Sequence, residues 1–175
     1  MEECDVDECR VCGMKVYPIT LGDRRTTEEL VAAANYGYCH SQVISDNFPA
    51  RPFNGTMVRE IVLLKFDHPV SSEEATAEAA KQSLERPFYE DALYFGIEYL
   101  EVQLEGPVAF PHDPWLGNHG RRDAICLWSN AGRRELGLEG FDDPWPPNYR
   151  IAFVRRAGPG SQGTSNEVQR CFGPP

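Results

Sequence analysis

A block of apolar side chains at residues 61–66, interrupted only by Lys65, dominates the hydrophobic pattern of this chain. The block is rich in β-branched and large aliphatic residues, and the turn former Pro69 follows it. Such a run is typical of a central β-strand with little exposure on either face, whereas a buried helical segment is usually longer. We therefore predict that residues 59–67 form the strand around which the rest of the chain is arranged.

Helix signals lie on both sides of this strand. Thr26 followed by Glu29, and Ser71 followed by Glu74, have the form of capping boxes at the start of a helix. Gly37 is placed to end the first helix in a left-handed conformation. The predicted helices span residues 28–36, 73–84, 88–96 and 97–104.

The pattern changes to short alternating segments after residue 107, which indicates hairpins between closely spaced strands. Before the central strand, residues 14–21 predict an edge strand, because Pro18 cannot donate to a sheet ladder. Residues 38–57 are predicted to form a long ordered loop, and loops of this length are often functional. The strands predicted after residue 107 span residues 108–110, 124–128, 134–141 and 149–155.

These elements predict an α+β fold: a mostly antiparallel sheet with helices packed on one face. A length of 175 residues fits a single domain with a real core. We expect a cysteine-bearing N-terminal arm at residues 1–20 and a single α+β domain at residues 21–156. Residues 157–175 contain few core-forming side chains and are predicted to be a flexible C-terminal tail.

Charge and hydropathy narrow the classes of function. The net charge of −10 argues against direct nucleic-acid binding, which needs a basic surface. No apolar run is long enough to span a membrane, and the acidic N-terminus lacks the pattern of a signal peptide. We therefore expect a cytoplasmic protein with a protein partner and no membrane or nucleic-acid contact.

Three cysteines near the N-terminus form the strongest motif. Cys9 and Cys12 are separated by two residues and followed by a glycine, which is the geometry of a zinc knuckle, and Cys4 precedes them. A structural zinc needs four ligands, so Cys39, or alternatively His40, is the candidate for the fourth. A redox dithiol and unliganded cysteines in a loose arm are the alternatives.

A second candidate site is the loop at residues 112–123. His112, Asp113 and His119 lie within eight positions of one another. Imidazoles and carboxylates on a loop beside a sheet can bind a metal or act as acid and base near neutral pH. The alternative is an ordinary polar loop.

Two surface features are also candidates. Residues 71–105 contain nine acidic side chains and two basic ones, so helices there could imitate a phosphate backbone and inhibit a nucleic-acid-binding enzyme. An ordinary solvated face has the same composition. Among the tryptophans, Trp145, between prolines, is the candidate for an exposed, adhesive side chain, and burial in the core is the alternative.

Four stretches of the chain together resemble a family of short, uncharacterised bacterial proteins. The resemblance covers residues 14–156 and implies a bacterial single-domain protein, with no activity or site residue attached. The stretches are residues 36–42 (YGYCHSQ), 45–49 (SDNFP), 59–67 (REIVLLKFD) and 89–96 (YEDALYFG).

The first functional hypothesis is thus a non-enzymatic binding or regulatory protein of the bacterial cytosol with a structural zinc. A small metal-dependent or acid–base enzyme that uses the loop at residues 112–123 is the second. The acidic inhibitor is the third.

Overall fold

The computed structural model describes residues 14–51 and 53–155. Within these ranges the chain forms nine strands and four helices. The strands are β1 (Val16–Leu21), β2 (Tyr38–Cys39), β3 (Met57–Lys65), β4 (Leu84–Glu85), β5 (Val108–Ala109), β6 (Trp115–Leu116), β7 (Arg122–Asn130), β8 (Arg133–Gly140) and β9 (Arg150–Arg155). The helices are α1 (Thr27–Ala34), α2 (Ser72–Ala80), α3 (Tyr89–Glu98) and α4 (Val102–Glu105).

These strands join one mixed sheet. Seven of them follow one another in the order β1-β3-β9-β5-β7-β8-β2, while β4 pairs with β9 and β6 with β7. The pairs β2–β8 and β5–β9 are parallel, and the other strand pairs in the described part of the chain are antiparallel. The predicted α+β class and the mostly antiparallel sheet are therefore confirmed.

Strand β3 contains the apolar block except for Phe66, and it lies between β1 and β9. Ile61 and Val62 are both buried, and they belong to two different hydrophobic clusters. Successive side chains of a strand point to opposite faces of the sheet, so β3 contributes to a core on each side. The strand predicted at residues 59–67 is thus an interior strand, and β1, which contains Pro18, lies at the edge of the sheet as predicted.

Helices cover both faces of the sheet. On one face, Leu30 of α1, Phe95 of α3 and Val102 of α4 share a cluster with Ile61. On the other face, α2 contributes buried alanines to the cluster that contains Val62. The prediction that the helices pack on one face is therefore wrong for α2. Strands β3, β7 and β9 are apolar on both faces, so helices must bury both faces of the sheet.

Capping residues set the helix boundaries. Thr26 and Glu29 form the predicted capping box of α1, and the Ser71 hydroxyl accepts a hydrogen bond from the Glu74 N–H at the start of α2. Helix α1 ends earlier than predicted, since Asn35 rather than Gly37 adopts the left-handed conformation after it, with φ of 52°. Asparagine tolerates this conformation better than most residues.

The sheet extends further toward the N-terminus than the predicted domain boundary. Strand β1 pairs along its whole length with β3, so residues 16–20, which were assigned to the N-terminal arm, belong to the sheet. The predicted tail at residues 157–175 lies outside the described residues. Among the described helices, none has the length and apolar character needed to cross a membrane.

Candidate functional site

Three of the four predicted zinc ligands, Cys4, Cys9 and Cys12, lie outside the described residues. The fourth candidate, Cys39, is half-buried in β2, where its thiol donates a hydrogen bond to the carbonyl oxygen of His40 at 3.6 Å. Burial raises the pKa of the Cys39 thiol. Across residues 14–51 and 53–155, no group of three His, Cys, Asp or Glu side chains is placed to hold a metal ion.

His112 is part of the core and not of an open site. The Nε2 atom accepts a hydrogen bond from the Ile125 N–H at 2.9 Å, so Nδ1 carries the proton and donates it to the Asp113 carbonyl oxygen at 2.7 Å. Burial lowers the pKa of the imidazole to about 4. A neutral ring with both nitrogens bonded to the backbone joins the loop to β7, and it has no free nitrogen for acid–base chemistry.

The other two side chains of the predicted acid–base loop face solvent. The Asp113 carboxylate is exposed and forms an ion pair with the Arg86 guanidinium at 3.1 Å. His119 is exposed in the turn between Gly117 and Gly120. Because His112 faces the core while Asp113 and His119 face water, the structure does not bring the three together in one cleft.

Trp145 is also buried, which contradicts the predicted exposed, adhesive tryptophan. Only 2% of its surface is exposed, and its indole N–H donates to the Ser72 hydroxyl oxygen at 3.0 Å. The isolated bridge between Val70 and Trp145 joins this segment to the residues that precede α2. The flanking prolines therefore shape a turn that inserts the ring into the core.

The acidic side chains at residues 71–105 do not form one surface. Those of α2 lie on one face of the sheet, and those of α3 and α4 lie on the other. Two of them, Glu90 and Asp91, are buried in ion pairs with arginines. The helical carboxylates are thus divided between the faces, and part of their charge is neutralised.

A concave site of about 390 Å³, which we call the arginine cleft, lies where the turn after β1, the segment before β3 and helices α1 and α3 meet. Its lining combines three arginines with apolar and aromatic side chains. The lining residues are Gly22, Arg24, Arg25, Leu30, Ala50, Arg51, Phe53, Asn54, Glu90 and Tyr94.

Backbone contact between two loops shapes the rim of the arginine cleft. Gly22 has φ of +97°, and a β-carbon at this position would lie 2.4 Å from the carbonyl oxygen of Gly55. Only glycine fits both the left-handed conformation and this close approach. The short turn after β1 is therefore held against the loop that precedes β3.

Glu90 anchors Arg51 at the floor of the cleft. The Glu90 carboxylate is 2% exposed and accepts hydrogen bonds from Nε of Arg51 at 2.8 Å and from Nη2 at 3.0 Å. The Arg51 guanidinium also lies 4.2 Å from the centroid of the Phe88 ring. A two-point ion pair and a cation–π contact fix the orientation of the guanidinium, while 43% of the side chain stays exposed.

Asp23 anchors Arg25 in a similar way. The Asp23 carboxylate accepts hydrogen bonds from Nε of Arg25 at 2.6 Å and from the Tyr94 hydroxyl at 2.6 Å. Burial tends to raise the pKa of Asp23, but the hydrogen bonds from Arg25 and Tyr94 outweigh it, so the pKa lies below its usual value. Asp23 is therefore ionised at neutral pH and holds Arg25 in place.

Arg24 differs from its two neighbours in the cleft. It is exposed, and no ion-pair partner for it exists among the described residues. Its φ of +66° is in the left-handed region, which costs a residue with a β-carbon about 1 kcal/mol. The turn thus presents a guanidinium whose charge the surrounding protein does not neutralise.

A second, deeper ion pair fixes the first turn of α3 beside the cleft. Asp91 is fully buried and accepts hydrogen bonds from Nε and Nη2 of Arg59 at 3.1 and 2.8 Å, and from the Phe88 N–H at 2.7 Å. The Phe88 ring lies between the guanidiniums of Arg59 and Arg51, at 4.0 and 4.2 Å from its centroid. Burial raises the pKa of Asp91, and the pairing with Arg59 opposes that rise. This network sets the position of Glu90.

The chemistry available in the cleft is recognition of negative charge. Among the described lining residues there is no Ser, Thr, Cys, Lys or His. The one carboxylate, Glu90, is bound by Arg51, and burial raises the pKa of the Tyr94 phenol. No group in the cleft is therefore free to act as a nucleophile or a general base near neutral pH.

Sequence reasoning found one part of this site. The loop predicted at residues 38–57 contributes Ala50, Arg51, Phe53 and Asn54. The adjacent pair Arg24 and Arg25 was the missed signal, because two neighbouring arginines in a turn are conspicuous in an acidic chain.

The fold and the cleft define an α+β protein with a concave, arginine-lined cleft. No protein-family model, curated protein or solved structure gives a significant match to the chain. The resemblance to short bacterial proteins therefore stays a prediction.

Proposed function

We propose that this chain is a non-enzymatic binding protein of the bacterial cytosol and that the arginine cleft holds an anionic ligand. The observation that carries the proposal is that three arginines line one concavity together with apolar and aromatic side chains. A volume of about 390 Å³ lies within the range of sites that bind small molecules.

The charge of the whole protein strengthens this argument. At −10, the chain repels anions at most of its surface, so an anion needs a local concentration of cations to bind. The arginine cleft supplies it, and two of its guanidiniums are already oriented by Glu90 and Asp23. Preformed orientation lowers the entropy cost of binding.

The cleft also favours binding over catalysis, since no described lining group is free to transfer a proton or attack a substrate. The acid–base alternative would need His112, whose nitrogens are both bonded to the backbone. The acidic-inhibitor alternative would need one acidic face, and the helical carboxylates are divided between two. A structural zinc at the N-terminus and a protein partner stay predictions that are independent of the cleft.

Titration of the full chain with the aromatic sulfonate dye 8-anilinonaphthalene-1-sulfonate tests the proposal. Arg24→Gln removes one guanidinium that forms no ion pair among the described residues. Arg121→Gln is the control for loss of a positive charge away from the cleft, although it also breaks the ion pairs of Arg121 with Asp123 and Asp143. A charge-assisted hydrogen bond contributes about 1.5 kcal/mol at its weak end, so we expect the Arg24 variant to bind the dye about tenfold more weakly.

The Arg121→Gln variant should bind like the unmodified chain. Circular dichroism on all three proteins checks that the dye reports a site and not partial unfolding. Equal dye affinity for the two variants and the unmodified chain would contradict a ligand site in the arginine cleft.

A further inference from the structure

If the cleft binds an anion, as proposed above, its charges and its apolar walls restrict the class of ligand. We infer that the ligand is a small monocarboxylate with an apolar or aromatic body. The carboxylate meets the guanidinium of Arg24, and the body lies against Leu30, Phe53 and Tyr94.

The net charge of the site matches a single negative charge. The lining contributes Arg24, Arg25, Arg51 and one carboxylate, Glu90, which is bonded to Arg51. Asp23 lies outside the lining but is bonded to Arg25 and neutralises it. One positive charge is left over. A monoanion neutralises it, whereas a phosphate monoester carries about −1.5 to −2 at pH 7 and would add negative charge to an already acidic protein.

The free hydrogen-bond donors of the cleft also favour a monocarboxylate. Each guanidinium has five N–H donors, arranged as a planar fork that matches the two oxygens of a carboxylate. Arg51 uses Nε and Nη2 on Glu90, and Arg25 uses Nε on Asp23. Arg24 forms no hydrogen bond from its guanidinium within the described part of the chain, so its complete fork is open to a carboxylate.

The walls of the cleft fit an apolar group next to that charge. Leu30 is anchored in the core on α1, and the partly buried Phe53 packs against the same cluster. The Tyr94 hydroxyl is bonded to Asp23, which fixes its ring at the wall. Leu30 and Tyr94 are already buried, so an aromatic or branched aliphatic body would gain about 25 cal/mol for each Å² of apolar surface removed from water on the ligand itself and on the partly exposed Phe53.

Three probes that share a phenylethyl group separate the possibilities: 3-phenylpropanoate, its neutral amide 3-phenylpropanamide, and 2-phenylethyl phosphate. Isothermal titration of the full chain gives the three dissociation constants at one salt concentration. We expect the carboxylate to bind at least tenfold more tightly than either of the other probes. Arg24→Gln should abolish the preference for the carboxylate over the amide, and Arg121→Gln should preserve it.

Each contrary outcome has a separate meaning. If the phosphate ester binds as tightly as the carboxylate or more tightly, the monocarboxylate class is wrong while anion binding stands. If the amide binds as well as the carboxylate, both this inference and the proposed function are wrong. If none of the probes binds, the inferred class of monocarboxylates with an apolar or aromatic body is wrong, and the dye titration decides separately whether the cleft binds anions.

Discussion

The buried imidazole of His112 gives the protein a specific dependence on pH. In the folded chain its pKa is about 4, because burial disfavours the charged ring, and in the unfolded chain it returns to about 6.5. Between these values the unfolded state binds a proton that the folded state does not. The stability that comes from keeping the ring neutral is therefore complete above pH 6.5 and is lost as the pH falls toward 4.

The size of this effect follows from the two pKa values. A difference of about 2.5 pH units corresponds to about 3 kcal/mol between neutral pH and pH 4, at 1.36 kcal/mol for each unit. His112→Gln removes the titrating ring, and it also disturbs the hydrogen bonds to Ile125 and Asp113, so the variant should be less stable at pH 7 by about 1–3 kcal/mol. From pH 7 to pH 4 the difference in stability should change by about 3 kcal/mol in favour of the variant, so that it closes or reverses sign.

Urea unfolding at pH values from 4 to 7.5 measures this gap, and His119→Gln is the matched control because that ring is exposed. The control should differ little from the unmodified chain at any pH. A gap for His112→Gln that does not change with pH would refute the reasoning. So would an imidazole pKa between 6 and 7 for His112 in the NMR spectrum of the folded protein.

The remaining predictions concern the ion pair beside the cleft, the turn and the metal. Arg59→Met leaves the buried Asp91 carboxylate without its ion-pair partner and should destabilise the protein by about 3–5 kcal/mol, as measured by urea unfolding. A loss below about 1 kcal/mol, the usual value for an exposed pair, would contradict the role of this pair in stability. Arg24→Gly removes the cost of a left-handed φ, about 1 kcal/mol, but the added glycine loses about 0.4–1 kcal/mol through the greater freedom of the unfolded chain. The free energy of unfolding should therefore stay the same or rise by up to about 0.5 kcal/mol while dye binding weakens, and a loss of about 1 kcal/mol or more would show that the turn is not strained. If the N-terminal cysteines form the proposed zinc site, elemental analysis of protein purified without added metal should give about one zinc per chain; a ratio far below one would end that hypothesis.

Local patterns in the sequence predicted the local structure well. The apolar block at residues 61–66 predicted β3, and Thr26 with Glu29 predicted the start of α1, because these signals depend on neighbouring residues. The face on which α2 packs could not be predicted in this way. Strand periodicity shows that a residue is buried, but the side of the sheet on which a helix lies depends on the order of strands that are distant in sequence.

The candidate site depended on the same long-range information. Arg24, Arg51 and Glu90 come from three separate parts of the chain, and only the fold brings them to one cleft. His112 and Trp145 failed as surface predictions for a related reason. Both lie in segments rich in turn residues, which suggested exposure, whereas each finds a hydrogen-bond partner that allows its ring to be buried.

The location of anion binding is the central claim, and amide chemical-shift mapping with 8-anilinonaphthalene-1-sulfonate on the ¹⁵N-labelled full chain tests it most directly. The account predicts that the largest shifts occur around the arginine cleft, at Arg24, Arg25, Arg51 and Tyr94, and that Arg24→Gln reduces them. Shifts centred on the loop at residues 112–123 or on α2, with the cleft amides unchanged, would contradict it.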